Sequence, residues 1–173
     1  MSILKKLTPD LYLESVYELD VEKLKKNGID TIITDLDNTL VGWNEPSPNS
    51  KLMKWFKNLI DQGFKVVIVS NNGENRVASF AKEAGLPFIS KANKPRRSPF
   101  SRAIELMESK KNSSAVIGDQ IFTDVLGGNR SGLFTILVIP INEKEFIGTK
   151  IVRQAEKMVL RSLKNRGYIK GEI

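Results

Sequence analysis

The feature that most constrains this chain is the alternation of short, β-branched apolar runs with amphipathic stretches. Val66-Val67-Ile68-Val69 and Ile136-Leu137-Val138-Ile139 carry no polar residue on either face, the pattern of strands buried on both sides of a sheet. Strands of that kind need helices over both faces, which selects a doubly wound, mainly parallel α/β sheet over a sandwich or a bundle. Ile29–Thr34, Lys65–Val69, Leu86–Ile89, Ala115–Ile117 and Phe134–Ile139 read as strands. Asn49–Asp61, Arg76–Ala84, Pro99–Lys110 and Ile121–Asn129 read as the helices between them, with Gly63 and Gly85 as stops. A short helix is expected over Val21–Asn27, opened by Asp20 and closed by Gly28, and a last one from a Thr149 cap to about Asn165. No repeat or linker divides the chain. It reads as one domain, 1–173, with a core over about 29–140, an N-terminal extension 1–28 and a basic amphipathic helix over about 149–165.

In such sheets ligands bind beyond the carboxyl ends of the strands. That edge is where the polar clusters fall: Asp35-Leu36-Asp37-Asn38-Thr39 after the first strand, Ser70-Asn71-Asn72-Gly73 after the second, Lys94-Pro95 after the third, and Gly118-Asp119 with Asp124 after the fourth. Converging aspartates repel, by roughly 4 kcal/mol for two unit charges about 4 Å apart at an effective dielectric near 20. Something positive belongs among them.

Composition narrows the chemistry. The 173 residues include no histidine and no cysteine, which excludes a Ser-His-Asp triad, a thiolate nucleophile, a zinc site of the usual kind and a disulfide framework. A hard, oxygen-only donor set points to Mg²⁺ with a phosphate, the phosphate held by Ser70, backbone N–H groups and the Lys94 ammonium.

The ordered set Asp35-x-Asp37-x-Thr39, Ser70, Lys94 and Gly118-Asp119 with Asp124 resembles the four motifs of the haloacid dehalogenase-like phosphatases. The Asp-Leu-Asp-Asn-Thr form and the small size are similar to their capless subclass IIIA. Leu7-Thr8-Pro9 and Ser15-Val16-Tyr17 resemble segments of bacterial relatives of mitochondrial phosphatidylglycerophosphate phosphatases. The resemblance implies that Asp35 is the nucleophile that forms an aspartyl-phosphate and that Asp37 is the acid and then the base. It further implies that Asp35, Asp119 and the Asp37 carbonyl hold Mg²⁺ with Asp124 in support, that Thr39 orients the loop, and that Ser70, Asn71 and Lys94 hold the phosphate.

Taken singly, each of these residues has a plainer reading. Asp-x-Asp is a common turn, Ser70 and Asn71 are acceptable helix caps, and Asp119 and Asp124 suit a turn and a first helical turn. A calcium loop counted from Asp35 fails at Leu40 and Pro46, a P-loop is absent, and a receiver domain would carry its phosphorylated aspartate on the third strand, which here ends in Ile89-Ser90. The joint placement at successive strand ends favours the site. A non-catalytic module on the same fold, or a phosphatase of another substrate, is the alternative.

The net charge of +7 is unevenly spread. Five cations and no acid lie between Ser90 and Ile104, and seven cations against Glu156 alone lie between Lys150 and Lys170. Neither segment interleaves its charge with stacking aromatics, so no nucleic-acid partner is expected. In the last helix Lys150, Arg153, Lys157, Arg161 and Lys164 form a stripe opposite Ile151, Val152, Ala155, Met158, Val159 and Leu163. The apolar side is expected to dock on the domain while the cations stay solvated or face an anionic phospholipid surface. Trp43 either packs its loop or contacts substrate. No apolar run reaches the roughly 18 residues of a membrane helix, and Asp10 and Glu14 interrupt any signal peptide. The expectation is a cytoplasmic protein, peripheral at the inner membrane face when its substrate is a lipid. Only 29 residues separate Leu40 from Ser70 and 24 separate Lys94 from Asp119, too few for a cap domain, so the site should be open. The sequence leaves the oligomeric state undetermined.

Overall fold

A computed structural model describes residues 3–142 and 147–169, for 147–151 the backbone alone. One sheet of six strands runs through it, and every neighbouring pair is parallel. In chain order the elements are α1 (Ile3–Lys6), β1 (Leu11–Leu13), α2 (Val21–Lys26), β2 (Thr31–Thr34), α3 (Ser50–Asp61), β3 (Lys65–Val69), α4 (Glu74–Ala84), β4 (Phe88–Ile89), α5 (Ser98–Leu106), β5 (Ser114–Gly118), α6 (Leu126–Ser131), β6 (Phe134–Val138) and α7 (Ile147–Asn165). The strand order is β1-β6-β5-β2-β3-β4. From β2 the chain builds outward through β3 and β4, then returns to place β5 on the other side of β2. The switch point therefore lies between β2 and β5, which carry Asp35 and Asp119 at their carboxyl ends.

The apolar runs behave as their composition requires. Ile32, Val66 and Ile68 face a core layer with Leu52, Phe56 and Phe80 of α3 and α4, while Ile33, Val67 and Val69 face Phe100, Ala103 and Ile104 of α5. Asp20 accepts from the Lys23 backbone N–H at 2.9 Å and Asn49 from that of Leu52 at 2.9 Å, capping α2 and α3. Gly85 closes α4 with a positive φ.

Four expectations change. Leu11–Leu13, within the expected N-terminal extension 1–28, forms strand β1 against β6, so the sheet extends beyond the expected 29–140 core. A three-residue edge strand is too short to show periodicity. Its register is fixed instead by Asp10, whose carboxylate accepts from the Thr135 N–H at 2.7 Å, and whose own N–H donates to the Thr135 carbonyl at 2.8 Å. The helix expected over Ile121–Asn129 divides into a π-helical turn, Ile121–Val125, and α6. Pro99–Lys110 shortens to α5.

The last change concerns α7, which begins at Ile147 rather than at a Thr149 cap. Its docked face takes only part of the apolar stripe: Leu163 is buried with Glu156 and half-buried Arg153, whereas Met158 is 70% exposed and Val152 39% exposed. Val159 and Leu160 pack with Leu7, Ile121, Val125 and Leu137. The side chains of Lys150 and Ile151, and all of Lys170, lie outside the described residues.

Candidate active site

The carboxyl ends of β2 and β5 set Asp35 and Asp119 on adjacent strands, and the π-helical turn swings Asp124 back beneath them. A Cβ on Gly118 would run into the Asp124 side chain, so glycine at that strand end is what admits the third carboxylate. Asp35, Asp119 and Asp124 each offer an oxygen within 4.8 Å of the others, and all three are buried. Lys94 bridges two of them, its Nζ 2.9 Å from Asp35 and 2.6 Å from Asp124. Burial by itself would push the Lys94 ammonium down, but Asp124 and Asp35 outweigh it and hold it above the ordinary lysine range. Burial, then the charge of Asp35, push Asp119 up to about 7 even with Arg153 beside it. Burial pushes Asp124 up to about 6 against the opposing pull of Lys94. A site that resists its own negative charge in this way fits a bound cation, and its donors are all oxygens.

The loops around this cluster are tied to it. Thr39 donates its hydroxyl to Asp119 Oδ1 at 3.0 Å, so it orients a carboxylate and does not line the cleft. The Ser70 hydroxyl is buried at the cleft wall and accepts from the Asn72 N–H at 3.2 Å. Asn71, expected to hold phosphate, uses its side-chain amide on the Lys94 backbone, accepting from the N–H at 2.7 Å and donating to the carbonyl at 3.3 Å. It anchors the loop that aims Lys94. Asp37 lines the cleft but stands apart from the other aspartates. Asn72 donates to its Oδ2 at 2.9 Å, and Arg76 donates to its Oδ1 from Nη2 at 2.9 Å and from Nε at 3.3 Å. Above these groups opens a cleft of about 300 Å³, with Trp43, Gln120 and Thr123 on its walls.

Comparison with known proteins agrees with this geometry. The haloacid dehalogenase-like hydrolase family matches residues 7–132. The chain belongs to the haloacid dehalogenase-like hydrolases. It is 47% identical over 164 residues to a probable phosphatase, YqeG, of Bacillus subtilis, covering 95% of each chain. It is 24% identical over 170 residues to phosphatidylglycerophosphate phosphatase 1, chloroplastic/mitochondrial, of Arabidopsis thaliana, covering 90% of this chain and 47% of that one. Among solved structures, the cobalt-bound deoxy-D-mannose-octulosonate 8-phosphate phosphatase of Haemophilus influenzae superposes with a TM-score of 0.53 at 16% identity, covering 79% of this chain and 90% of that one. The resemblance read from the motifs stands, and with it the fold and the enzyme class, a phosphatase.

Within this haloacid dehalogenase-like site two cations escaped the sequence reading. Arg76 sits in the first turn of α4, immediately after the Ser70 turn, and its position at the same sheet edge was a usable signal. It also donates from Nη1 to the Pro46 carbonyl at 2.9 Å, which ties Asp37 to the loop bearing Trp43. Arg153 was assigned to a solvated stripe, yet it pairs with the Asp119 carboxylate and donates from Nη1 to the Asp119 carbonyl at 2.8 Å. Nothing local in the sequence marks it, because its partner lies 34 residues earlier and meets it only in the folded chain.

Proposed function

We propose that the protein is a Mg²⁺-dependent phosphatase working through an aspartyl-phosphate. The observation that carries this reading is the buried Asp35, Asp119 and Asp124 cluster, bridged by Lys94 beneath an open cleft. Mg²⁺ held by Asp35, Asp119 and the Asp37 carbonyl, with Asp124 in support, would neutralise charge on the phosphoryl oxygens. Asp35 attacks phosphorus, forming an oxygen–phosphorus bond as the bond to the leaving oxygen breaks, and Asp37 delivers its proton to that oxygen. Asp37 then takes a proton from water as the water attacks phosphorus, and the bond to Asp35 breaks to release phosphate. Lys94 and Ser70 hold the phosphoryl oxygens throughout. The Asp37 carboxylate, held here by Arg76 and Asn72, must turn toward the leaving oxygen.

Phosphatidylglycerophosphate is the substrate this reading favours. Its support is the 24% identical relative of that name and a cleft bordered by the loop over 41–49 rather than by an inserted domain. Asp35→Asn should abolish turnover of an aryl phosphate while the protein still folds, because an amide cannot form the acyl-phosphate. A near-normal rate from pure protein sinks the covalent route. Vesicles containing phosphatidylglycerophosphate should be dephosphorylated faster than soluble sugar phosphates at equal phosphate concentration, and the reverse order removes the lipid assignment.

A further inference from the structure

Helix α7 carries two charged side chains into a site otherwise built by the sheet edge and its loops. Arg153 reaches Asp119 twice, through the carboxylate Oδ2 and through the backbone carbonyl. Glu156, only 4% exposed, holds the guanidinium from behind: its Oε2 accepts from Arg153 Nη1 at 3.2 Å, and its Oε1 accepts from the Phe122 N–H at 3.2 Å. Phe122 belongs to the same turn that carries Asp124, so the ion pair is pinned to the site at both ends. With Thr39 on Oδ1, both oxygens of Asp119 are engaged.

The buried charges divide between two cations. Lys94 serves Asp35 and Asp124, and Arg153 serves Asp119. A divalent cation seated among the same carboxylates would draw on Asp119 and stand close to the guanidinium, and like charges at that range repel. We propose that Arg153 is the built-in counter-ion of Asp119, so that divalent-cation binding and the Arg153–Asp119 contact oppose one another and metal occupancy is coupled to the seating of α7. This rests on the reading that Asp35, Asp119 and Asp124 hold Mg²⁺.

The test uses the full chain, as wild type, Arg153→Gln and Arg153→Lys, with thermal unfolding in chelator and in saturating Mg²⁺ and with Mg²⁺ affinity from calorimetry. In chelator, Arg153→Gln should melt below wild type, because Asp119 is left buried without its cation. Saturating Mg²⁺ should restore most of that loss. Its Mg²⁺ affinity should rise about tenfold, within the usual span of coupling between two sites. Arg153→Lys keeps the charge and loses the fork, so its affinity should rise only a few-fold. Equal losses of stability with and without Mg²⁺, or weaker Mg²⁺ binding by Arg153→Gln, would overturn the proposal and leave Arg153 as a helix anchor. Should Arg153→Gln fail to fold even in Mg²⁺, unchanged or weaker binding by Arg153→Lys does the same. Failure of wild type and both variants to bind Mg²⁺ overturns the metal reading itself, and this inference with it, whereas binding of unchanged affinity overturns this inference alone.

Discussion

Asp37 has both carboxylate oxygens engaged, one by Asn72 and the other by the Arg76 fork, and Arg76 is itself fixed by the Pro46 carbonyl and lies over the Phe80 ring. On the proposed acid role of Asp37, a guanidinium held on three sides would set where its carboxyl starts. Arg76→Lys keeps one charge but loses the fork, so kcat should fall about tenfold for a poor leaving group and much less for an activated aryl phosphate. Equal losses for both substrates would assign Arg76 to structure alone. The buried aspartates make a second prediction. Asp119 is pushed from its ordinary 3.8 to about 7, and Asp124 to about 6. A raised carboxyl binds its proton more tightly in the folded state, so its ionisation destabilises the fold progressively as pH rises from the unfolded value to the folded one. Mg²⁺ bound there as proposed would take only the ionised form, so it would have to displace those protons at lower pH. The rise in Tm caused by Mg²⁺ should therefore grow between about pH 5 and pH 8, and a constant increment across that range would show that these groups do not titrate with the metal.

The elements around the site differ in what holds them. The π-helical turn depends on its glycine neighbour: Gly118→Ala should cost about 2 kcal/mol of stability and most of the activity, because the new methyl displaces Asp124. Urea unfolding and turnover measured together check this, and loss of activity with unchanged stability would show that the turn tolerates the methyl. Helix α7 docks through the boundary between its two stripes, where Leu163 is fully buried and Met158 is turned outward. Leu163→Ala should cost about 3 kcal/mol, and Met158→Ala should stay within about 0.5 kcal/mol of wild type. The opposite ranking would turn Met158 rather than Leu163 toward the domain. Both stripes were legible in the sequence; the rotation of the helix was not. A helical pattern records which residues share a face, and a buried ion pair such as Arg153–Asp119 can turn a mixed face inward.

For the whole molecule, no helix among the described residues is long and apolar enough to cross a membrane. Arg97, Arg102, Lys157 and Arg161 are exposed, and on the proposed lipid substrate their charges would draw the protein to an anionic bilayer. Activity on phosphatidylglycerophosphate vesicles should fall as salt rises, while activity on a soluble aryl phosphate should change little. Charge reversal at Arg97, Arg102, Lys157 and Arg161 should reproduce the effect of salt, and vesicle activity indifferent to both would remove the membrane from the reading. Arg153 is left out of that set because its charge is committed to Asp119.

What the sequence by itself determined is the sheet and the chemistry at its edge. Runs such as 66–69 admit one burial pattern, and the aspartates, Ser70 and Lys94 fall at strand ends, where a parallel sheet gathers ligands. These are local signals, written within a few residues of where they act. Tertiary structure decided the pairing of β1 with β6, the engagement of Asp37 by Arg76, the diversion of Asn71 to the Lys94 backbone, and the arrival of Arg153 at Asp119. Each of these joins residues more than 20 positions apart through a few hydrogen bonds or an ion pair. No period or motif encodes such a contact. It forms because a buried polar group must find a partner, and the partner within reach is fixed only when the elements pack.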